Sequence, residues 1–303
     1  MSADYRLEEL APGVYARLGR GPVQPNCAFI VGDEGVILFD ASYSPAAGRA
    51  IAADVARVTA KPIATLVLSH HHWDHAWGAQ VFGGARVVAH AGARRALQER
   101  AAAQLAALRE QPARPASWME IPPARLVDEL DELHISLPVL TYSETLSVWS
   151  GDREIQLRHF GPAHTYGDTL LVLPAEGLLF GGDVVCNRLI PVVGDGDPFG
   201  FIDVLEQVAG LGASMIVPGH GRLAEPRALA AFRACLVALC DEVRAAREAG
   251  AADAEAALAA VRLADFPNWA GRDLLPGSVR RIWQRLGEVP AADGAPKNPH
   301  PGA

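Results

Sequence analysis

A layered α/β fold is what this 303-residue chain predicts, and three observations carry that reading. Short apolar, β-branched runs alternate with helical patterns through the first part of the chain. Several of those runs are followed at once by residues that bind metal or move protons, and α/β folds place their chemistry at strand ends. Half the residues are hydrophobic and a fifth are charged, an ordinary balance for a globular enzyme that can bury a full core as one large domain or two small ones.

Three β-like runs open the sequence, at 13–18, 27–31 and 36–39, the last ending at Asp40. Ser44-Pro45 sets an N-cap residue before proline at the first helical position, predicting a helix to about residue 59 with Ile51, Val55 and Val58 on one face. A buried strand at 63–68, a histidine-rich loop and a strand at 86–89 come next. From Ala91 to about Glu110 the composition turns to Ala, Leu, Arg and Gln, which predicts a helix. Residues 111–140 are rich in proline and acids, with Trp118, Met119, Ile121, Leu126 and Leu133 interspersed. They read as a long irregular segment, either a lid or a surface excursion.

β-Pattern returns at 146–149, 154–159, 169–173 and 177–180, followed by a helix at 199–211 and a short strand at 214–217. Beyond Gly221 the chain is alanine-rich and helical over 226–249, 253–262 and 276–286. The expected organisation is a catalytic domain over 1–222 with an insertion or lid at 91–140, a helical extension over 223–290, and a flexible Ala/Gly/Pro-rich tail over 291–303. Phe266, Trp269 and Trp283 in the extension cover either the core or a partner, and oligomeric state stays open.

The formal net charge of −8 and the lack of a basic stripe argue against a nucleic-acid partner. No run is apolar enough to cross a membrane, and the acidic N-terminus has no signal-peptide core. Four scattered cysteines (Cys27, Cys186, Cys235 and Cys240) read as reduced and buried, so the expected compartment is the cytoplasm.

The chemistry concentrates in Ser69-His-His-His-Trp-Asp-His75. His70, His72, Asp74 and His75 put imidazole nitrogen and carboxylate oxygen together, a donor set suited to a borderline cation such as zinc. Further along, His164 lies in a turn between strands, while Asp183 and His220 each follow an apolar strand. His90, His134 and His159 belong to no motif and read as ordinary polar residues, with His134 a lid candidate.

In this order the motifs resemble the metallo-β-lactamase-fold hydrolase superfamily over roughly residues 12 to 221. The resemblance implies a four-layer αββα sandwich with a binuclear metal site along one edge. Carried over, His70, His72 and His164 would hold one metal and Asp74, His75 and His220 the other, with Asp183 bridging. Asp40 would orient a ligand through hydrogen bonds, and His71 would point away. The implied cofactors are two zinc ions, with iron or manganese as alternatives. The implied reaction is hydrolysis of a small-molecule ester, thioester or lactone by a hydroxide shared between the metals, with Asp74 as the catalytic proton carrier.

Asp183 stands where true β-lactamases usually carry Cys or Ser, so the resemblance is to members outside those classes. The histidine loop is similar to that of the hydroxyacylglutathione hydrolases, but Trp77-Gly78 replaces their glycine pair. Tyr166 either faces the pocket or packs. The competing readings are a mononuclear iron enzyme of the persulfide-dioxygenase kind and a β-lactam-cleaving enzyme.

Overall fold

A computed structural model describes residues 5–118 and 120–288. The tail expected to be flexible, 291–303, lies outside the described residues. Strands β1 (Tyr5–Ala11), β2 (Val14–Gly19), β3 (Cys27–Val31), β4 (Val36–Phe39), β5 (Ile63–Val67), β6 (Arg86–His90) and β7 (Leu140–Tyr142) form one sheet in that order. It is antiparallel up to β4 and parallel beyond. The second sheet runs β12-β11-β10-β9-β8, built from β8 (Thr145–Ser150), β9 (Arg153–Arg158), β10 (Leu170–Leu173), β11 (Leu178–Cys186) and β12 (Met215–His220). Only β11 and β12 pair in parallel there.

Alternation along the strands sorts residues into the layers. In β3 and β4, Cys27, Phe29, Val36 and Leu38 face a cluster shared with helices, whereas Ala28, Ile30, Ile37 and Phe39 face the opposite sheet. Phe180, Leu171, Ile155 and Val217 answer them from the second sheet, so this cluster is the seam between the sheets. Outside the first sheet lie α1 (Pro45–Val58), the turn α2 (Trp73–Ala76), a 3₁₀ segment (Trp77–Phe82), α3 (Ala91–Glu110), α4 (Ala113–Trp118) and α5 (Pro123–Asp131). The second sheet is covered by α6 (Pro198–Ala209), α7 (Pro226–Glu248), α8 (Ala254–Ala260) and α9 (Leu275–Glu288). The four layers are therefore helix, sheet, sheet, helix.

The first helix starts as its sequence predicts: Ser44 Oγ accepts from Ala47 N at 3.1 Å, with Pro45 at N1. The structure differs from the sequence expectation in β1, in the length of β11 and in the stretch after α3. Residues 111–140 are not irregular throughout, because α4 and α5 occupy part of them, and Leu126 and Leu130 bury against the first helical layer. His134 sits by Gln80 and Glu132, outside both ligand groups described below. Phe266, Trp269 and Trp283 pack on the chain's own core, with Trp269 stacked 6.5 Å from Phe232. Gly78 is required by contact: a Cβ there would lie 1.9 Å from the Ala41 carbonyl oxygen.

Candidate metal centre

The parallel strands deliver the site. Asp40 follows β4, the His70–His75 loop follows β5, and His220 ends β12. Asp183 falls within β11 rather than after it, since that strand continues through a bulge at Gly182, where φ is +48°, to Cys186. A Cβ on Gly219 would lie 1.9 Å from Asp183 Oδ1, so β12 comes this close to the carboxylate only with glycine there. The histidine loop is pinned by its tryptophans: Trp73 meets Tyr43 and Trp77 edge-on, at 6.2 and 6.1 Å between ring centroids.

All seven sequence-predicted ligands converge, in two groups. His70, His72, His164 and Asp183 form one; Asp74, His75 and His220 form the other, with ligand atoms in each within 4.8 Å of one another. The Asp183 carboxylate spans them. Its Oδ1 lies 3.2 Å from His75 Nε2 and 3.4 Å from His220 Nε2, and its Oδ2 lies 3.5 Å from His164 Nε2 and 4.0 Å from His70 Nε2. Asp74 Oδ2 is 3.3 Å from His220 Nε2. His72 Nδ1 and His164 Nε2 approach to 2.9 Å.

Four of the imidazoles have their other nitrogen held, which orients a ring as a ligand. His70 Nδ1 is 2.9 Å from Ser69 Oγ, and His164 Nδ1 donates to the Val192 carbonyl at 2.7 Å. His75 Nδ1 donates to Asp40 Oδ2 at 2.9 Å, while Asp40 Oδ1 accepts from Ser69 N at 2.7 Å. His72 Nε2 donates to Asp195 Oδ2 at 3.1 Å. His70 Nε2 and Asp183 Oδ1 are buried without a hydrogen-bond partner. Buried polar atoms in native proteins are normally satisfied, and a divalent cation among nitrogen and carboxylate donors satisfies both. The residues present thus fit a metal site.

Electrostatics separates the rings. Burial, with the neighbouring histidines, pushes His70 well below its ordinary value and His164 down to about 4, so both keep a free lone pair at neutral pH. Burial acts the same way on His75 and His220, but Asp183 and Asp74 outweigh it: His75 rises well above the ordinary value and His220 to about 9. Burial would raise Asp183; His220 and His75 reverse that and hold it well below the carboxylate range.

His71 is buried and lies outside these two groups, but with His72 and Asp195 it makes a third that could hold a metal ion, its Nε2 3.7 Å from Asp195 Oδ2. Tyr166 neither packs in the core nor enters the ligand groups; it is 48% exposed and its hydroxyl accepts from Arg281 at 2.8 Å. His90 caps α3 and stacks on His159 at 4.0 Å. Sequence reasoning missed Asp195, which lies before α6 and which Arg100 of α3 holds at 3.0 Å. The available signal was Asp195-Gly-Asp197-Pro198: Asp197 is spoken for as the α6 N-cap, leaving Asp195 without a local role. Asp195→Ala is expected to weaken metal affinity roughly 10–100-fold, as loss of a ligand's supporting carboxylate does. A metal titration followed by competition with a chelator reads this, and unchanged affinity would remove Asp195 from the site.

An αββα sandwich that gathers two His/Asp groups at one edge is a fold built around a candidate metal site. Residues 20–220 match the metallo-beta-lactamase superfamily, and the chain belongs to that family. A metallo-beta-lactamase from Pontibacter korlensis superposes with a TM-score of 0.62 at 15% identity, over 77% of this chain and 99% of that one. FIM-1 from Pseudomonas aeruginosa, a metallo-beta-lactamase in its mono-zinc form, gives 0.60 at 17% identity, over 78% and 96%. The sec-alkyl sulfatase PisA1, as a double mutant, gives 0.69 at 20% identity, over 93% of this chain and 50% of that one. At such identities the likeness is one of fold.

Proposed function

We propose that this chain is a metal-dependent hydrolase of an ester, thioester or lactone. In this reading His70, His72 and His164 would hold one cation and Asp74, His75 and His220 a second, with Asp183 available to both. The proposed cofactor is a pair of zinc ions, with iron or manganese as alternatives. The observation that carries the reading is the Asp183 carboxylate, one oxygen toward each group. The complete second group favours hydrolysis over mononuclear iron chemistry.

Cations held there would supply Lewis acidity at the scissile carbonyl and a water of lowered pKa. The protein's part is placement and proton handling. His72 and Asp74 are the most open of the ligands, their side chains 17% and 15% exposed, so substrate approaches past them. Burial would raise Asp74, but His75 and His220 outweigh it and keep the carboxyl below its usual range. Ionised at neutral pH, Asp74 Oδ2 can accept a proton and pass it to the leaving group. Ser69 Oγ is buried against His70 Nδ1 and helps to orient that ring.

The substrate is a small molecule, and no described helix is long and apolar enough to cross a membrane. Four buried, unpaired cysteines support a cytoplasmic setting. Metal-defined protein screened against thioesters, esters, lactones and lactams tests the proposal. Turnover of an ester, thioester or lactone, abolished by chelation and restored by zinc, is expected. One iron per chain with sulfur-dependent oxygen uptake and no hydrolysis would overturn it.

A further inference from the structure

Of the 25 arginines in the chain, five have a guanidinium group with no hydrogen-bond, ion-pair or aromatic-ring partner among the described residues: Arg20, Arg86, Arg95, Arg188 and Arg222. Three of these five, Arg20, Arg188 and Arg222, line one cleft of about 560 Å³ together with Pro22, Asn187 and Leu223. They come from three separate places in the chain, the β2–β3 loop and the segments after β11 and after β12. In a protein of net charge −8, three unpaired arginines around one cleft give a local field opposite in sign to the whole.

The cleft borders the end of β12, the strand that carries the ligand His220. Gly221, which also lines it, directly follows the ligand His220, and Asn187 N donates to the His220 carbonyl at 3.0 Å. Pro25 bridges to His220, and Asn26 Nδ2 donates to the Pro218 and Gly221 carbonyls at 2.8 and 2.9 Å, fastening the Arg20 loop to the ligand strand. Asn187 Nδ2 ties the Arg222 and Leu223 carbonyls at 3.1 Å each. Arg188 itself takes φ +62°, a left-handed conformation uncommon for its type, and its carbonyl accepts from Ala270 N at 3.0 Å. Strained backbone held by its surroundings marks functional positions.

Of the acids bordering the cleft, Glu225 is paired with Arg227, and Glu120 lies against Gly21. Three planar guanidinium forks exceed what a single carboxylate needs and match the several oxygens of phosphate groups. A second cleft of about 610 Å³ shares Asn187, Arg188 and Leu223, with Ala228, Ala231 and Trp269 as its apolar wall and the paired Glu225 and Arg227 also lining it. We infer that Arg20, Arg188 and Arg222 bind phosphate on the non-reacting end of the substrate. The bond broken at the metal centre would then join an acyl group to a phosphorylated carrier, with the adjoining cleft taking the carrier's apolar portion. This substrate class rests on the hydrolase reading; the anion site does not.

Calorimetric titration of the full-length, metal-loaded protein with inorganic pyrophosphate tests the site directly. Saturable binding is expected, weakened tenfold or more in Arg188→Ala/Arg222→Ala and in the charge reversal Arg222→Glu, with metal content and melting temperature measured on the same samples. An affinity that the variants leave unchanged would put the anion on the metals and overturn the inference, as would absence of saturable binding in the native protein. The hydrolase reading fails on a different result, the absence of turnover on every ester, thioester and lactone while pyrophosphate still binds.

Discussion

Replacing Asp183 by alanine is expected to strip the centre of bound metal and to lower hydrolytic turnover by more than about 100-fold, the upper end of what losing a merely supporting residue does. The reason is position. Asp183 is the side chain whose two oxygens face the two groups separately, at 3.2 and 3.4 Å on one side and 3.5 and 4.0 Å on the other. Alanine removes a donor from both groups and a negative charge from among His70, His75, His164 and His220. Asp183→Asn keeps the shape and one good acceptor, so it should retain more metal than the alanine variant while still losing the bridge. Elemental analysis of purified protein gives the stoichiometry, and turnover of whichever thioester or ester the native protein cleaves gives the rate. Native metal content and turnover in Asp183→Ala would refute the bridging role and the mechanism built on it.

How much of this was legible follows from the range of the interactions. Strands buried on both faces, such as Cys27–Val31 and Val36–Phe39, announce themselves as apolar runs, because either layer demands apolar side chains. The strand β1 does not: Tyr5–Ala11 carries Glu8 and Glu9 and is only partly buried at the sheet's edge, so it lacks the apolar signal. β7 has three residues, too few for a period. In α5, Pro122 and Pro123 look like breakers, yet proline at N1 opens a helix, and Leu126 and Leu130 fall on one buried face. The ligands were readable because a metal site needs particular donors at strand ends, and each left a compact local motif. Asp195 left only its place beside the Asp197 cap, because its partners His72 and Arg100 are 123 and 95 residues away. The arginine cleft is hidden for the same cause. Arg20, Arg188 and Arg222 are far apart in sequence, and net charge reports only their sum with the acids.

Asp40→Asn should separate the two ligand groups. Asp40 is buried, with φ +65°, a conformation that Asn tolerates as readily as Asp, so the substitution alters hydrogen bonding with little change in shape or backbone. In the native protein the carboxylate accepts twice, from Ser69 N and from His75 Nδ1. An asparagine that keeps the Ser69 bond presents its NH₂ to His75 Nδ1, which must then accept. The ring proton moves to Nε2, the nitrogen that faces Asp183, Asp74 and His220, and the lone pair needed there is gone. The flipped amide restores the His75 bond but sets NH₂ against the Ser69 N–H, leaving a buried donor unsatisfied at about 1–3 kcal/mol. Either arrangement weakens the second group, by roughly 10–100-fold in metal affinity, while His70, His72 and His164 keep their own partners. The expected titration therefore shows one cation bound as in the native protein and one bound weakly. Two cations held with native affinity in Asp40→Asn would show that His75 takes its orientation from packing and not from this hydrogen bond.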